Sequence, residues 1–364
     1  MINYNIYRSK IEDFSTAVGQ IVESVDLSNI VRMVFFVYAA DNVDYMSKKA
    51  ICKDIVQEKF PQIASLTSVI AQRPLVGRVV LEVHSMDDDR WDITIKDRYV
   101  VAENESLKCL FASDLIGHIA TSTYEQSQAA FESLTNLLLT EGMGYNNIVR
   151  QWNYIEKILF CSDGHQHYQD FNDVRSHYYD PVDWVDGYPA ATGIGMQQGG
   201  VILSFDAVKI KSDYAVKAID NTLQRAAHVY SKEVLIGETT LKTTPKFERA
   251  KALFSRDELL VYISGTAAIR GEESIDPDDI VGQTRVTMEN IEQLIAPKTL
   301  DEFGVIHPPK ASSLKILRVY IKREADTAKA KAYLDEHYPS VPAFYLWGNV
   351  CREELLIEIE GVLS

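Results

Sequence analysis

Leu355-Leu356-Ile357-Glu358-Ile359-Glu360-Gly361-Val362 reads as a strand with two carboxylates on one face and isoleucines on the other, since side chains along a strand alternate with period two. This strand closes a longer run of elements. Leu259-Leu-Val-Tyr-Ile-Ser-Gly265 is a strand, and Asp278 to Ala296 an amphipathic helix with apolar Ile280, Met288, Ile291, Leu294 and Ile295. Leu314-Lys-Ile-Leu-Arg-Val-Tyr-Ile321 is a second strand, and Asp326 to His337 a second helix broken by Tyr338-Pro339. The order is strand, helix, strand, helix, strand.

Two earlier stretches follow the same order. In the middle of the chain come Leu110-Phe-Ala-Ser113, a helix over Tyr124 to Leu139, Ile148-Val-Arg-Gln-Trp-Asn-Tyr-Ile155 and Val201-Ile-Leu-Ser-Phe-Asp-Ala-Val208. Near the start come a helix over Ile11 to Val25, a strand from Ile30 to Tyr38, a helix over Ser47 to Lys59, Phe60-Pro61 and Val79-Val-Leu-Glu-Val83. Any α+β protein alternates strands and helices, so the order alone proves little. The spacing from Pro61 to Glu82, however, equals that from Pro339 to Glu360 without a gap, which favours repetition. Three units, 1–90, 91–212 and 213–364, account for the 364 residues. Copies of this kind arise when the gene of a homo-oligomer is fused, so the expected architecture is an α+β single-chain pseudo-trimer. A monomer built this way, or a further homo-oligomer of it, is compatible with the sequence.

Composition narrows the function. Apolar residues make up 46% and charged residues 24%, as in ordinary globular chains. Met1-Ile-Asn-Tyr-Asn-Ile-Tyr-Arg8 has no apolar signal region, and no stretch of about 18 apolar residues follows, so a cytoplasmic protein without a membrane segment is expected. A net charge of −15 opposes nucleic-acid binding, which depends on Lys and Arg neutralising phosphates. Cys52, Cys109, Cys161 and Cys351 are far apart and form no CxxC pair, which points to neither zinc nor a disulfide framework. His165 and His167 form a His-x-His pair with His177 nearby, but no further ligand spacing accompanies them and they read as a polar loop. Gly193-Ile-Gly195 and Gly199-Gly200 lack the strand and helix that frame a phosphate-binding loop, and read as turns before a strand. No metal or redox cofactor is expected.

The carboxylates carry the chemistry. Glu358 and Glu360 share a face that must line a cleft or an interface, and desolvation in so apolar a run raises a carboxyl pKa toward neutrality. An acid that keeps its proton can act as a general acid. Comparison of the units separates the two. Position 360 is acidic in all three, as Glu82, Asp206 and Glu360, whereas position 358 is matched by Val80 and Ser204. The shared acid reads as structural and the unique one, Glu358, as catalytic, with Glu360 kept as a second catalytic candidate.

Tyr262-Ile-Ser-Gly-Thr-Ala267, the helix with Gln283, Thr284 and Asn290-Ile291, and Ile357-Glu-Ile-Glu-Gly361 resemble the RidA (YjgF) superfamily over about 110 residues. That resemblance implies tandem RidA or chorismate-mutase-like units, each a mixed sheet with helices packed on one face, and clefts between units. A more specific resemblance, to the chorismatase family, runs from Arg150 onward. It is carried by Arg150-Gln-Trp-Asn-Tyr-Ile155, Tyr168-Gln-Asp-Phe171 with Arg175, Tyr188-Pro-Ala-Ala-Thr-Gly-Ile-Gly195, Ile263-Ser-Gly-Thr-Ala267 and Cys351-Arg-Glu-Glu-Leu-Leu-Ile-Glu-Ile-Glu360. It implies Glu358 as proton donor. Cys351, grouped with the catalytic residues, is implied to shape the pocket beside the substrate ring rather than to attack it, and cysteine there resembles the subgroup that makes 3-hydroxybenzoate.

For a small anionic substrate the candidate binding residues are Arg352, Arg249, Arg175, Tyr168, Asn153, Gly265 and Lys242. One stretch departs from the family, which tends to carry Pro-Arg-x-Pro-Ser-Phe-x-Arg-Ala where this chain has Lys242-Thr-Thr-Pro-Lys-Phe-Glu-Arg-Ala250. Thr243 stands where the first arginine would be, with Lys242 and Lys246 beside it, and a lysine is a point charge rather than a two-pronged donor. The activity implied is acid-catalysed cleavage of the enolpyruvyl vinyl ether of chorismate or a close relative, with release of pyruvate. A RidA-like enamine or imine deaminase, with Arg352 supplying the arginine in a shifted register, and a non-catalytic binding protein remain open alternatives.

Overall fold

A computed structural model describes residues 2–86, 90–162, 165–229, 243–308 and 312–364, with Ser162 and His165 described by backbone only. The first unit contains β1 (Ile2–Ser9), α1 (Phe14–Ser24), β2 (Ile30–Phe36), α2 (Asn42–Lys59), β3 (Ser68–Ile70) and β4 (Val79–Met86). The second contains β5 (Asp92–Ile95), β6 (Tyr99–Glu103), β7 (Leu107–Ile116), α3 (Thr123–Thr140) and β8 (Ile148–Glu156). After a two-strand hairpin, β9 (Cys161–Ser162) and β10 (His165–Gln166), it continues with α4 (His167–Tyr179), β11 (Ala190–Met196) and β12 (Val201–Ile210). The third opens with β13 (Ala215–Ile219), β14 (Ala250–Phe254) and β15 (Leu259–Ala267), then a small hairpin, β16 (Ile269–Arg270) and β17 (Glu273–Ser274). It ends with α5 (Ile280–Ile295), α6 (Pro297–Glu302), β18 (Leu314–Ile321), α7 (Thr327–His337), β19 (Ala343–Trp347) and β20 (Ile357–Leu363).

Strand order shows the repetition more clearly than residue identity does. The sheets run β1-β4-β2-β3, β7-β12-β8-β11 and β15-β20-β18-β19, each with its second and third chain-order strands parallel and the rest antiparallel. β5 and β6 extend the second sheet, and β13 and β14 the third. The fold is therefore mixed α+β, with α1, α3 and α5 each packed on its own sheet. Among the described residues no helix is long and apolar enough to cross a membrane.

Local chemistry explains the boundaries that matter for the site. The Asp279 carboxylate accepts the Val281 N–H at 3.0 Å and caps α5, and Ala296, extended at ψ 136°, ends it before Pro297. In between, Ile280, Met288, Ile291 and Leu294 form the buried stripe and pack with Ile357 and Ile359 of β20. On the opposite face of that strand, Glu358 and Glu360 turn away from the helices.

That opposite face of all three sheets meets in a buried polar centre. Arg32 of β2 pairs with Asp206 of β12 at 2.6 Å, Arg150 of β8 with Glu360 of β20 at 2.7 Å, and Arg318 of β18 with Glu82 of β4 at 2.6 Å. Each unit gives its arginine to the acid of the next, and the third unit closes back on the first. Arg318 also reaches Glu360 at 2.9 Å, and Trp152 lies between the guanidinium groups of Arg32 and Arg150, 4.8 and 4.7 Å from its ring. Burial alone would push Glu82 up, but Arg318 and His84 hold its carboxyl down at about 2. Ile30-Val31-Arg32, Ile148-Val149-Arg150 and Ile316-Leu317-Arg318 are the sequence trace of this ring, and comparing acids alone overlooked it.

Two readings of the sequence need correction. Gly193 and Gly195 lie inside β11, paired with β8, rather than in a turn, and glycine stands there because side chains would press on neighbours. A Cβ at 193 would be 3.3 Å from the Tyr168 ring, and one at 195 would be 2.9 Å from Asn349 and Ile158. Gly199 and Gly200, with φ of +106° and +70°, do form the turn. His167 and His177 belong to α4 rather than to a loop, and the His167 ring meets the Glu156 carbonyl at 2.7 Å.

Removing one arginine leaves its acid buried without a counter-charge, which costs about 3–5 kcal/mol. Arg32→Met is expected to lower the unfolding free energy by that amount in urea titrations at pH 7. Lys298→Met, which removes an exposed partner 4.0 Å from Glu302, should change it by less than about 1 kcal/mol. Similar effects for the two variants would show that the ring does not hold the units together.

Candidate active site

The junction between the second and third units is built around a bulge. Ile263 of β15 faces Gly361 and Thr266 faces Ile359, so Ser264 and Gly265 together oppose Glu360. Both bulge residues reach across to β11. Ala191 N–H donates to Ser264 Oγ at 2.9 Å, and Gly265 N–H donates to Thr192 Oγ1 at 3.0 Å. Thr192 Oγ1 also accepts from Arg150 Nη2 at 2.6 Å and donates to Glu360, which ties the cleft to the central ring. Gln283 of α5 fixes the approach to β20, accepting the Leu356 N–H at 2.8 Å and donating to the Glu354 carbonyl at 2.9 Å.

Glu358 points into this junction and is 5% exposed. Gly265 makes room for it, since a Cβ there would lie 2.0 Å from Glu358 Oε1. No described residue forms a hydrogen bond or ion pair with the Glu358 carboxyl. Burial, and then the Glu360 charge, push it up to about 8, against the weaker pull of Arg150 and Arg249. It therefore holds its proton at neutral pH. Glu360, two residues on, is fully occupied, with its oxygens on Arg150, Thr192, Trp152 Nε1 at 2.8 Å and Arg318.

The other candidates fall into two groups. Tyr168 and Arg175 lie two turns apart on one face of α4. Tyr168 covers Gly193, and burial, the Cys351 thiol and Glu358 raise its hydroxyl pKa. Arg175 is 2% exposed; Nη2 donates to Asn172 at 2.5 Å, Nε has no partner among the described residues, and no described carboxylate pairs with it. Arg249 is 3% exposed, donates to the Arg225 carbonyl at 2.8 Å, and its charge acts on both Glu358 and Cys351. Burial and the Glu358 charge push the Cys351 thiol up to about 12, so it stays protonated, and it packs on Ala267, Ile269, Val350 and Leu355.

Asn153 and Thr243 are engaged elsewhere, whereas Arg352 lies close enough to Cys351 for its charge to act on that thiol. Asn153, buried on the helix-facing side of β8, accepts from Gln151 at 2.6 Å and donates to the Thr192 carbonyl at 3.1 Å. Arg352 donates to the Glu272 carbonyl at 2.8 Å, in the hairpin beside the cleft. Thr243 bonds Asp173 and accepts from Gln169 at 3.1 Å, while Lys246 pairs with Asp180 at 2.5 Å. Lys242 lies outside the described residues. Among the described residues no cluster of three or more His, Cys, Asp or Glu is placed to hold a metal. Sequence reading gave no role to Thr192, Arg150 or Asn172, although the first two sit inside stretches quoted for other reasons.

The junction between the first and second units is a useful comparison. Its counterpart of Glu358 is Ser204, and the acid nearby comes from the next strand. β7 bulges opposite Ser204, and there Asp114, with φ +59°, pairs with Lys49 and Lys53 of α2 at 2.6 and 3.0 Å. That carboxylate is neutralised by two ammonium groups, whereas Glu358 has no paired cation.

The architecture is a tandem-repeat α+β fold with a buried carboxyl, Glu358, at a junction between units. The family model described as chorismatase FkbO/Hyg5-like, N-terminal, matches residues 92–207. A 3-hydroxybenzoate synthase of Streptomyces hygroscopicus is 33% identical over 246 residues, covering 66% of this chain and 69% of that protein. A chorismatase of the same organism is 30% identical over 230 residues, covering 62% and 64%. A chorismatase crystal structure covers 100% of this chain and 98% of its own with a TM-score of 0.73 at 21% identity, so the fold is shared. The chain belongs to the chorismatase family.

The raised Glu358 pKa has a consequence for stability. Its folded value, about 8, exceeds the ordinary 4.5, so its contribution is fully present below about pH 4.5 and is lost as pH rises to 8, by on the order of 1.4 kcal/mol per pH unit. Glu358→Gln should therefore match the wild type near pH 4 and exceed it by a few kcal/mol at pH 8 to 9. Urea unfolding across that range tests this, and a gap that does not widen with pH counts against a protonated Glu358.

Proposed function

We propose that this enzyme cleaves the enolpyruvyl vinyl ether of chorismate, or of a close relative, by protonation from Glu358, and releases pyruvate with a cyclic or aromatic acid such as 3-hydroxybenzoate. The observation that carries the reading is a buried carboxyl, pushed up to about 8 and without a paired cation among the described residues, with the buried guanidinium of Arg249 near it and that of Arg175 on the far side of Tyr168. A vinyl ether is unreactive until its methylene carbon is protonated, and the oxocarbenium ion so formed is then attacked at carbon by water or by an internal nucleophile. Attack by water consumes one molecule of it and gives pyruvate and a ring alcohol. The internal route consumes none, in keeping with 3-hydroxybenzoate and pyruvate together having the composition of chorismate.

Each residue follows from this sequence of events. Glu358 gives up its proton and becomes a carboxylate beside the cation, which the fields of Arg150 and Arg249 help to accommodate. Arg175 and Arg249 meet the substrate carboxylates, and burial makes each contact stronger than it would be in water. Cys351 provides a small apolar wall next to the ring. Glu360 holds Thr192 and Arg150 in place and, through its charge, adds to the burial that raises the Glu358 pKa. It acts on the donor rather than on the substrate.

Incubation of the purified protein with chorismate, followed by pyruvate and product analysis, tests the assignment. Glu358→Gln should lower turnover by about 100-fold or more. The rate should fall on the basic side with an apparent pKa near 8, as Glu358 loses its proton. Absence of chorismate turnover, together with deamination of an amino-acid imine, would instead establish the deaminase reading. Gly265→Ala forces the Glu358 carboxyl aside and should reduce turnover by at least about tenfold with the melting temperature nearly unchanged. Full activity in that variant would mean that Glu358 does not react from this position.

A further inference from the structure

Lys251 stands on β14, 1% exposed, with no described carboxylate as an ion-pair partner. Its ammonium group donates instead to three consecutive carbonyls, Asp186 at 2.6 Å, Gly187 at 2.8 Å and Tyr188 at 3.1 Å. An ammonium group has three N–H donors, so all are engaged by one short loop of the neighbouring unit. The same loop is gripped from a second point, where the Glu248 carboxylate accepts the Tyr188 N–H at 3.0 Å and Glu248 N–H donates to the Pro189 carbonyl at 3.1 Å. Gly187 is required at the centre. Its φ is +75°, and a Cβ there would lie 2.7 Å from Ala218 Cβ and 2.8 Å from Glu248 Oε1.

We infer that Lys251 is a positioning residue of the active cleft, which by pinning the Asp186–Tyr188 carbonyls fixes where β11 meets the bulge of β15. The loop runs from an aromatic wall directly into β11. Tyr188 stacks on Tyr179 at 6.1 Å, meets the Trp184 ring at a 48° tilt and 5.0 Å, and lies close enough to Arg175 to act on that guanidinium. Four residues later Thr192 receives the Gly265 N–H. A displacement of the loop is therefore passed to the Arg175 side of the pocket first, and to Glu358 only through Thr192. The cleft loses substrate affinity before it loses proton transfer. This assignment rests on the reading of the cleft as a chorismate-cleaving site.

Steady-state kinetics of the full-length chain with chorismate test the role. Lys251→Met removes all three donors, and KM should rise about tenfold or more while kcat stays within about threefold. Lys251→Arg, which keeps the charge and at least two donors, should recover most of that loss. Gly187→Ala disturbs the same loop with Lys251 intact, and should reproduce the KM rise even where Lys251→Met is too unstable to assay. Unchanged KM in both Lys251→Met and Gly187→Ala, or a loss confined to kcat, overturns the role. Hydrogen exchange in the 184–196 peptide separates this idea from the choice of substrate. If the wild type leaves chorismate untouched, faster exchange in Lys251→Met still supports the clamp, and unchanged exchange refutes it.

Discussion

Three buried ion pairs, each joining an arginine of one unit to an acid of the next, are the constraint to which the other features of the molecule answer. Exchanging such pairs for apolar residues often leaves a protein as stable or more so, so net stability is a poor explanation for them. Register is a better one. A sheet shifted by one residue would turn Glu360 toward the helices and strand Arg150 without its partner. The ring therefore fixes three sheets against one another and in the right register, a task that an apolar interface alone performs loosely.

The catalytic proposal follows from that arrangement. Because Glu360 belongs to the ring, the residue two places earlier on β20 is carried to the same side of the sheet, but farther out, where the sheet meets its neighbour. The bulge at Ser264 and Gly265 then bonds that neighbour through backbone N–H and hydroxyl groups and leaves a space of carboxyl size. Glu358 fills the space, where burial first and the field of Glu360 second push its carboxyl up to about 8. The ring acid and the proposed proton donor are thus neighbours on one strand, set apart by arginines paired with Glu360 and none paired with Glu358.

Much of this was legible in the sequence, and the parts that were not have physical reasons. Long periodic segments such as Ile280–Ile295 and Leu314–Ile321 announce themselves, as does the alternation in β20. Comparing copies separated position 358 from position 360 because the ring demands an acid at one and nothing demands it at the other. β11 was hidden because its glycines mimic a turn, while their real cause, the Tyr168 ring and Asn349 lying over the strand, is a contact distant in sequence. α4 was hidden by a polar composition that reads as a loop, and its buried Arg175 and Asn172 look like surface residues until the cleft is formed. Asn153 carries the family resemblance, yet its hydrogen bonds to Gln151 and Thr192 lie on the helix-facing side of β8.

Joining the three units in one chain also changes what a single substitution can do. In an assembly of identical subunits every replacement is made at all interfaces at once, so an uncharged acid needed at one cleft would be placed in all of them. Here the symmetry is broken by covalent linkage. One junction carries Glu358, a second has Ser204 and the salt-bridged Asp114, and the third has Val80 at the corresponding position. Each interface can drift or specialise at the dose of one residue, while the ring that all three share is left untouched.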